Sequence, residues 1–179
     1  MFKVIDVIKT KSLILSPWTA HLVTASGLVF AFASIVAVLN SQWRLALMWM
    51  TAGVVTDALD GTIARHLNST QKLPHFNGSL LDAIVDYVTY VVVPVLFIYI
   101  AKLIPDSYIN WVLPLVLLAS SYQFAQTNAK TPDNYFLGFP SYWNVAVFYM
   151  LVLKSNPSAN LFLLLILIVL IFVPIKYYY

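Results

Sequence analysis

DALDGTIARHLNSTQKLPHFNGSLLDAIVD, residues 57–86, holds four aspartates between long apolar runs. The surrounding chain of 179 residues is 61% hydrophobic and 9% charged. Soluble domains carry roughly a quarter charged residues, so this composition implies an integral membrane protein. In such a chain a carboxylate is expensive, and intramembrane ionisable groups mark functional sites by default. All seven acidic residues are Asp, and four of them lie in this stretch. Two of the five glycines, Gly61 and Gly78, lie there too.

Working outward, a helix needs about 20 mainly apolar residues to cross a bilayer at 1.5 Å per residue. Six stretches qualify as candidate spans: 18–39, 45–64, 80–101, 111–129, 143–153 and 161–175. The fifth is short and could begin near Pro140. Strand alternation with regular turn signals is absent, which argues against a membrane barrel. The expected fold is therefore all-α, with about six transmembrane helices in a domain covering residues 16–179. Residues 1–15 are too charged to span. Val4, Ile5 and Ile8 can share one helical face opposite Lys3, Asp6 and Lys9, as in an interfacial amphipathic helix. The charges also break any signal-peptide core. No Cys is present, so disulfides and thiolate chemistry are excluded. A net charge of +3 is too small and dispersed for nucleic-acid binding.

With six spans both termini share one side. That side would hold Lys3, Lys9, Lys11, Arg65, Lys72, Lys130 and Lys176, against Arg44, Lys102 and Lys154 opposite. The excess predicts a cytoplasmic location for both termini and for the loop between spans two and three. Trp18, Trp43, Trp111, Trp143 and Tyr177–Tyr179 fall near expected span ends, as an interfacial belt does.

Asp57, Asp60, Gly61 and Ala64 are spaced i, i+3, i+4, i+7 and share a helical face. Gly78, Asp82 and Asp86 do the same at the start of the next span. Consecutive antiparallel helices bring both pairs to one depth at the cytoplasmic surface. A purely structural cluster is disfavoured, because four carboxylates face one nearby cation, Arg65. Two such charges 4 Å apart repel by about 4 kcal/mol at an effective dielectric of 20. Hard oxygen ligands suit Mg²⁺ or Mn²⁺, and a carboxylate-held divalent pair commonly handles phosphates. The small residues Gly61, Ala64 and Gly78 would let a nucleotide approach the backbone, and Arg65 could clamp a phosphate. The residues alone point to metal-dependent phosphoryl transfer at a membrane surface.

Asp57-x2-Asp60-Gly61-x2-Ala64-Arg65 followed by Gly78-x3-Asp82-x3-Asp86 resembles the signature of the CDP-alcohol phosphatidyltransferases. The twelve residues between Arg65 and Gly78 exceed the family's usual gap and are similar to one branch, the bacterial phosphatidylcholine synthases. HLVTASG (21–27), LPHFNGSLLDAIVDYVTYVVVP (73–94), KTPDNYFLGFPSYWN (130–144) and FVPIKYYY (172–179) look like that branch as well. The resemblance implies transfer of the phosphatidyl group from CDP-diacylglycerol to choline, releasing CMP, in the bacterial inner membrane. It implies that Asp57, Asp60, Asp82 and Asp86 hold metal, two ions in all, with Asp57, Asp60 and Asp82 also positioning the CDP pyrophosphate. Asp86 would be the general base. Asp57, Gly61, Ala64, Arg65 and Gly78 would line the nucleotide site. A homodimer is also implied, as are further helices after the segment like FVPIKYYY, so the chain is expected to be C-terminally truncated or a short form.

Choline's nitrogen donates no hydrogen bond and is held by aromatic faces. Tyr87, Tyr90, Tyr122, Tyr135 and Tyr142 are the candidates, although each is individually expected to be a packing or interfacial ring. The polar segment 130–140 either covers the alcohol site or is a Pro-limited loop. His21 could contact a headgroup, with packing favoured. His66 and His75 lack zinc-ligand spacing. Serine, inositol phosphate or glycerol phosphate are alternative acceptors, the phosphorylated ones disfavoured by scarce cations. A divalent-cation transporter is disfavoured because the aspartates cluster at one end without a repeat. A non-catalytic scaffold would not need all four.

Overall fold

A computed structural model describes residues 17–67, 75–131, 133 and 135–178, by backbone alone at Pro17, 60–67 and Tyr178. The interfacial helix expected over residues 1–15 lies outside the described residues. Helix α1 (Pro17–Leu39) and helix α2 (Trp43–Leu67) form an antiparallel hairpin. Helix α3 (Gly78–Asp86) continues through a π-helical turn (Tyr87–Val92) into α4 (Val93–Ile100). Helices α5 (Asp106–Ala125), α6 (Trp143–Val152) and α7 (Pro157–Phe172) follow, with strand β1 (Tyr135–Leu137) before α6 and β2 (Lys176–Tyr178) after α7. Among the described residues two helical stretches, Trp18–Leu39 and Gly78–Ile100, are long and apolar enough to cross a membrane. The architecture fits an all-α membrane protein.

Local chemistry sets the ends. Asn77 caps α3 by accepting a hydrogen bond from the Leu80 N–H at 3.0 Å, and Asn156 caps α7 by accepting from the Ala159 N–H at 2.8 Å. Pro157 fills the first turn of α7, where its missing N–H costs nothing. Ser41, Lys102 and Lys154 take left-handed φ after α1, α4 and α6 and turn the chain back sharply.

Some sequence expectations shift. The fourth span begins earlier than residue 111, at Asp106, because Pro105 is extended and Asp106 stands favourably at the positive helix end. It ends at Ala125, where Gln126 turns extended. The sixth runs Pro157–Phe172, stopped as Val173 is pushed extended before Pro174. The fifth helix does not reach back to Pro140; its ten residues rise about 15 Å. Trp143 is no belt residue. It is fully buried, and its indole N–H donates to Ser120 Oγ at 2.8 Å. The chain is also not wholly helical, since β1 and β2 pair antiparallel, with Tyr135 opposite Tyr178 and Leu137 opposite Lys176.

The core runs through Val38, Val91, Val93, Phe97, Val116, Trp143 and Val147. Many large apolar side chains face outward instead, among them Phe32, Met48, Leu118, Phe162 and Val169. Apolar residues outside on helix after helix suit lipid rather than water. Inside, α1 and α2 are tied by the buried Ser34 hydroxyl donating to the Ala46 carbonyl at 3.1 Å. Gly27 lets α3 press on α1, because a Cβ there would stand 2.7 Å from Val85 Cγ1. Gly53 has looser surroundings, with Thr89 Cγ2 at 3.9 Å.

These two glycines give a paired prediction. Gly27→Ala should lower thermal stability in detergent, since buried Val85 is stiff at χ1 and cannot swing away. Gly53→Ala should be neutral or stabilising by up to about 1 kcal/mol, from helix propensity. Melting curves of the two variants beside wild type check both.

Candidate functional site

The π turn follows directly on Asp86. Such turns are frequent at functional sites because they rotate the following side chains out of the α register. Here the turn carries Tyr90 inward, 8% exposed, where its hydroxyl donates to Asp57 Oδ2 at 2.7 Å. The same turn is anchored to α5 by the Tyr87 hydroxyl, which donates to the Leu117 carbonyl at 2.9 Å.

Asp57 on α2 and Asp82 and Asp86 on α3 converge. Each is half-buried, and carboxylate oxygens of all three lie within 4.8 Å of one another. At that separation a pair of charges repels by about 3.5 kcal/mol at an effective dielectric of 20. A cation among the three would relieve that repulsion. Clustered hard oxygens suit Mg²⁺ or Mn²⁺. The structure thus joins three of the four expected ligands. Asp60 lies on α2, one turn beyond Asp57, but its side chain is outside the described ones. So are those of Arg65 and Ala64, and Gly61 lies in the same stretch. Gly78 starts α3, and its missing side chain makes room for protein: a Cβ there would meet His21 Cε1 at 2.5 Å. His21 is buried in a nest of Trp18 and Phe76 rings, the latter at 4.6 Å. His75 is exposed.

A cavity of about 650 Å³ opens beside the carboxylates, a size that suits a small substrate or part of a larger one. The three aspartates and Tyr90 form one wall. The segment after α5 forms the other, through Gln126, Thr127, Lys130, Phe136 and Tyr142. Three residues of the 130–140 segment, Lys130, Phe136 and Pro140, therefore border this cavity. Lys130 is the one cation among the described lining residues, and its ammonium sits 5.6 Å above the Phe136 ring. The five tyrosines divide. Tyr90 and Tyr142 line the cavity. Tyr87 packs edge-on against Phe124 at 5.6 Å, Tyr122 against Phe172 at 5.0 Å, and Tyr135 lies in the β ribbon.

A strap holds the second wall. β2 pairs with β1, the Gly138 N–H donates to the Ile175 carbonyl at 2.9 Å, and the Phe139 N–H donates to the Leu170 carbonyl at 2.9 Å. Lys176 pairs with Asp133 at 2.6 Å. Hydrogen bonds from Lys176 and then Thr131 hold the Asp133 carboxyl below the usual range. From inside the bundle, the buried Gln123 amide donates to the Leu137 carbonyl at 3.1 Å. Phe136, the strap and the Gln123 anchor were not identified from sequence. The one signal available was Gly138 within an otherwise bulky apolar run.

A family model described as CDP-alcohol phosphatidyltransferase matches residues 18–175. The chain belongs to the CDP-alcohol phosphatidyltransferase family. Among curated relatives of these phosphatidyltransferases, the phosphatidylcholine synthase of Borreliella burgdorferi is 41% identical over 171 residues, covering 96% of this chain and 73% of the relative. That of Pseudomonas aeruginosa is 38% identical, covering 89% and 67%. That of Legionella bozemanae is 43% identical, covering 82% and 68%. The family match spans every element from α1 to the residues just before β2.

Gly138 tests the strap. Its φ is +80°, and a Cβ there would collide with the Ile171 carbonyl oxygen. The left-handed conformation alone costs a non-glycine residue about 1–2 kcal/mol. Gly138→Ala should loosen β2 and expose the 126–142 segment to limited proteolysis, with Gly53→Ala as the unaffected comparison.

Proposed function

We propose that this chain transfers the phosphatidyl group of CDP-diacylglycerol to choline, giving phosphatidylcholine and CMP. The three-carboxylate cluster opening on a cavity carries the reading, and the relatives named phosphatidylcholine synthase support the choice of acceptor. Asp57, Asp82 and Asp86, with Asp60, would hold Mg²⁺ or Mn²⁺, in two-ion form. Such ions neutralise charge developing on the pyrophosphate oxygens.

The chain's own groups do the rest. Tyr90 fixes one Asp57 oxygen and leaves the other for its ligand. Asp57, Gly61, Ala64 and Arg65, with Gly78 at the α3 start, would orient the nucleotide. Asp86 accepts the hydroxyl proton of choline as its oxygen forms a bond to the β-phosphorus. The bond from that phosphorus to the CMP oxygen breaks, and CMP leaves with the electron pair. The apolar outer face keeps the diacyl tails in lipid while the nucleotide stays wet.

The membrane setting belongs to the same proposal: six spans, the aspartates and strap at the cytoplasmic face of a bacterial inner membrane, and a homodimer. The orientation alone is supported by the charges, with Lys130 and Lys176 at the aspartate end and Arg44, Lys102 and Lys154 at the other ends of the helices.

The test is to supply purified protein with CDP-diacylglycerol, Mn²⁺ or Mg²⁺, and choline, serine, inositol phosphate or glycerol phosphate separately. Mass spectrometry should find phosphatidylcholine from choline alone, reduced at least about 100-fold in Asp86→Asn. A different phospholipid would overturn the acceptor, and full activity in Asp86→Asn would overturn the base.

A further inference from the structure

The cavity beside the carboxylates is aromatic in a specific way. Tyr90 and Tyr142 stand with ring centroids 5.5 Å apart and planes at 46°. Tyr142 also meets Phe136 edge-to-face, at 6.0 Å and 88°. The three rings come from three separate elements, the π turn, the residue before α6 and β1, and all line the cavity that holds Asp86. Tyr90 belongs to the buried core, and Tyr142 and Phe136 are half-buried. These border open volume beside negative charge.

An ammonium group is already held there. Lys130 Nζ lies over the Phe136 ring, so this surface takes a cation by its aromatic face. The rings are also fastened. Tyr90 is pinned through its hydroxyl to Asp57 at 2.7 Å, and Phe136 stands in β1 opposite Tyr177. Fixed rings lose little entropy on binding, which favours affinity.

We infer that Tyr90, Tyr142 and Phe136 form the subsite for the quaternary ammonium of the acceptor alcohol. This rests on the transfer reaction proposed above and adds the choice of acceptor. A trimethylammonium group offers no N–H, so a carboxylate cannot hold it by hydrogen bonds. Aromatic faces attract it electrostatically, and the neighbouring aspartates add long-range attraction. With the nitrogen against the rings and the hydroxyl toward Asp86, the alcohol spans the cavity in one orientation. Phosphorylated alcohols have no cationic group for these rings, and serine's ammonium is more strongly hydrated and carries N–H groups that aromatic faces leave without acceptors. Discrimination thus comes from the three rings, two of them on the segment that the β1–β2 strap holds in place.

The experiment compares choline with its neutral carbon isostere, in which tert-butyl replaces trimethylammonium. Direct choline binding by calorimetry and product formation are both read, on wild type, Tyr142→Leu, Phe136→Leu and Tyr142→Phe. Wild type should prefer choline over the isostere by roughly tenfold or more. Tyr142→Leu and Phe136→Leu should raise the choline KM by a comparable factor, leave the KM for CDP-diacylglycerol within about twofold, and erase the preference. Tyr142→Phe, which keeps the ring, should retain it and shows that the fold tolerates change there. Equal shifts in both KM values, or a preference that survives both leucine variants, would overturn the subsite while leaving the reaction standing. Ring-dependent choline binding by a protein that makes some other phospholipid would uphold the subsite and overturn the reaction.

Discussion

Three carboxylates held within 4.8 Å of one another, in a chain this apolar, are the constraint on which the remaining structure turns. Bringing Asp57 on α2 to Asp82 and Asp86 on α3 is opposed by about 3.5 kcal/mol per pair at an effective dielectric of 20. The surrounding fold offsets that cost. The Gly27 gap lets α3 lie against α1, the Asn77 cap and the Gly78–His21 contact fix where α3 begins, and the Tyr90 hydroxyl neutralises part of the demand of Asp57. Removing that hydroxyl would leave a half-buried carboxylate without its donor, a costlier state than never having made the bond.

The opposite wall obeys a different logic. It is built from a polar segment that would not stay ordered by its own hydrophobicity. Backbone hydrogen bonds to residues 170–178, the left-handed Gly138 and the Gln123 amide together hold it over the cavity. Rigid helices carry the carboxylates, and a strapped loop carries the facing wall.

How much of this was legible in the sequence follows from range. The aspartate convergence was readable because helical spacing and one short connection suffice to bring Asp57 near Asp82 and Asp86. Helix interiors were readable from apolar length. Helix ends were less so, since Pro105, Asn156 and Val173 act through single caps and backbone preferences that an apolar run does not display. The π turn leaves no mark in YVTYVV, whose residues suit an α-helix equally well. The ribbon pairs residues about forty apart through three-residue strands, too short to show alternation. Trp143 was misread as interfacial because a tryptophan at a helix start looks the same whether its indole meets a headgroup or the buried Ser120. Gly78 is the subtlest case. Its need for a bare backbone was evident from the motif, and the structure adds that His21 occupies the space a side chain would take.

The central claim, that Asp57, Asp82 and Asp86 together bind divalent metal, is most directly tested by titrating Mn²⁺ into the purified protein and following bound ion by electron paramagnetic resonance. The account predicts saturable binding that CDP-diacylglycerol tightens and that falls at least about tenfold in either Asp57→Asn or Asp82→Asn, variants on different helices. Binding unchanged in both variants would contradict it.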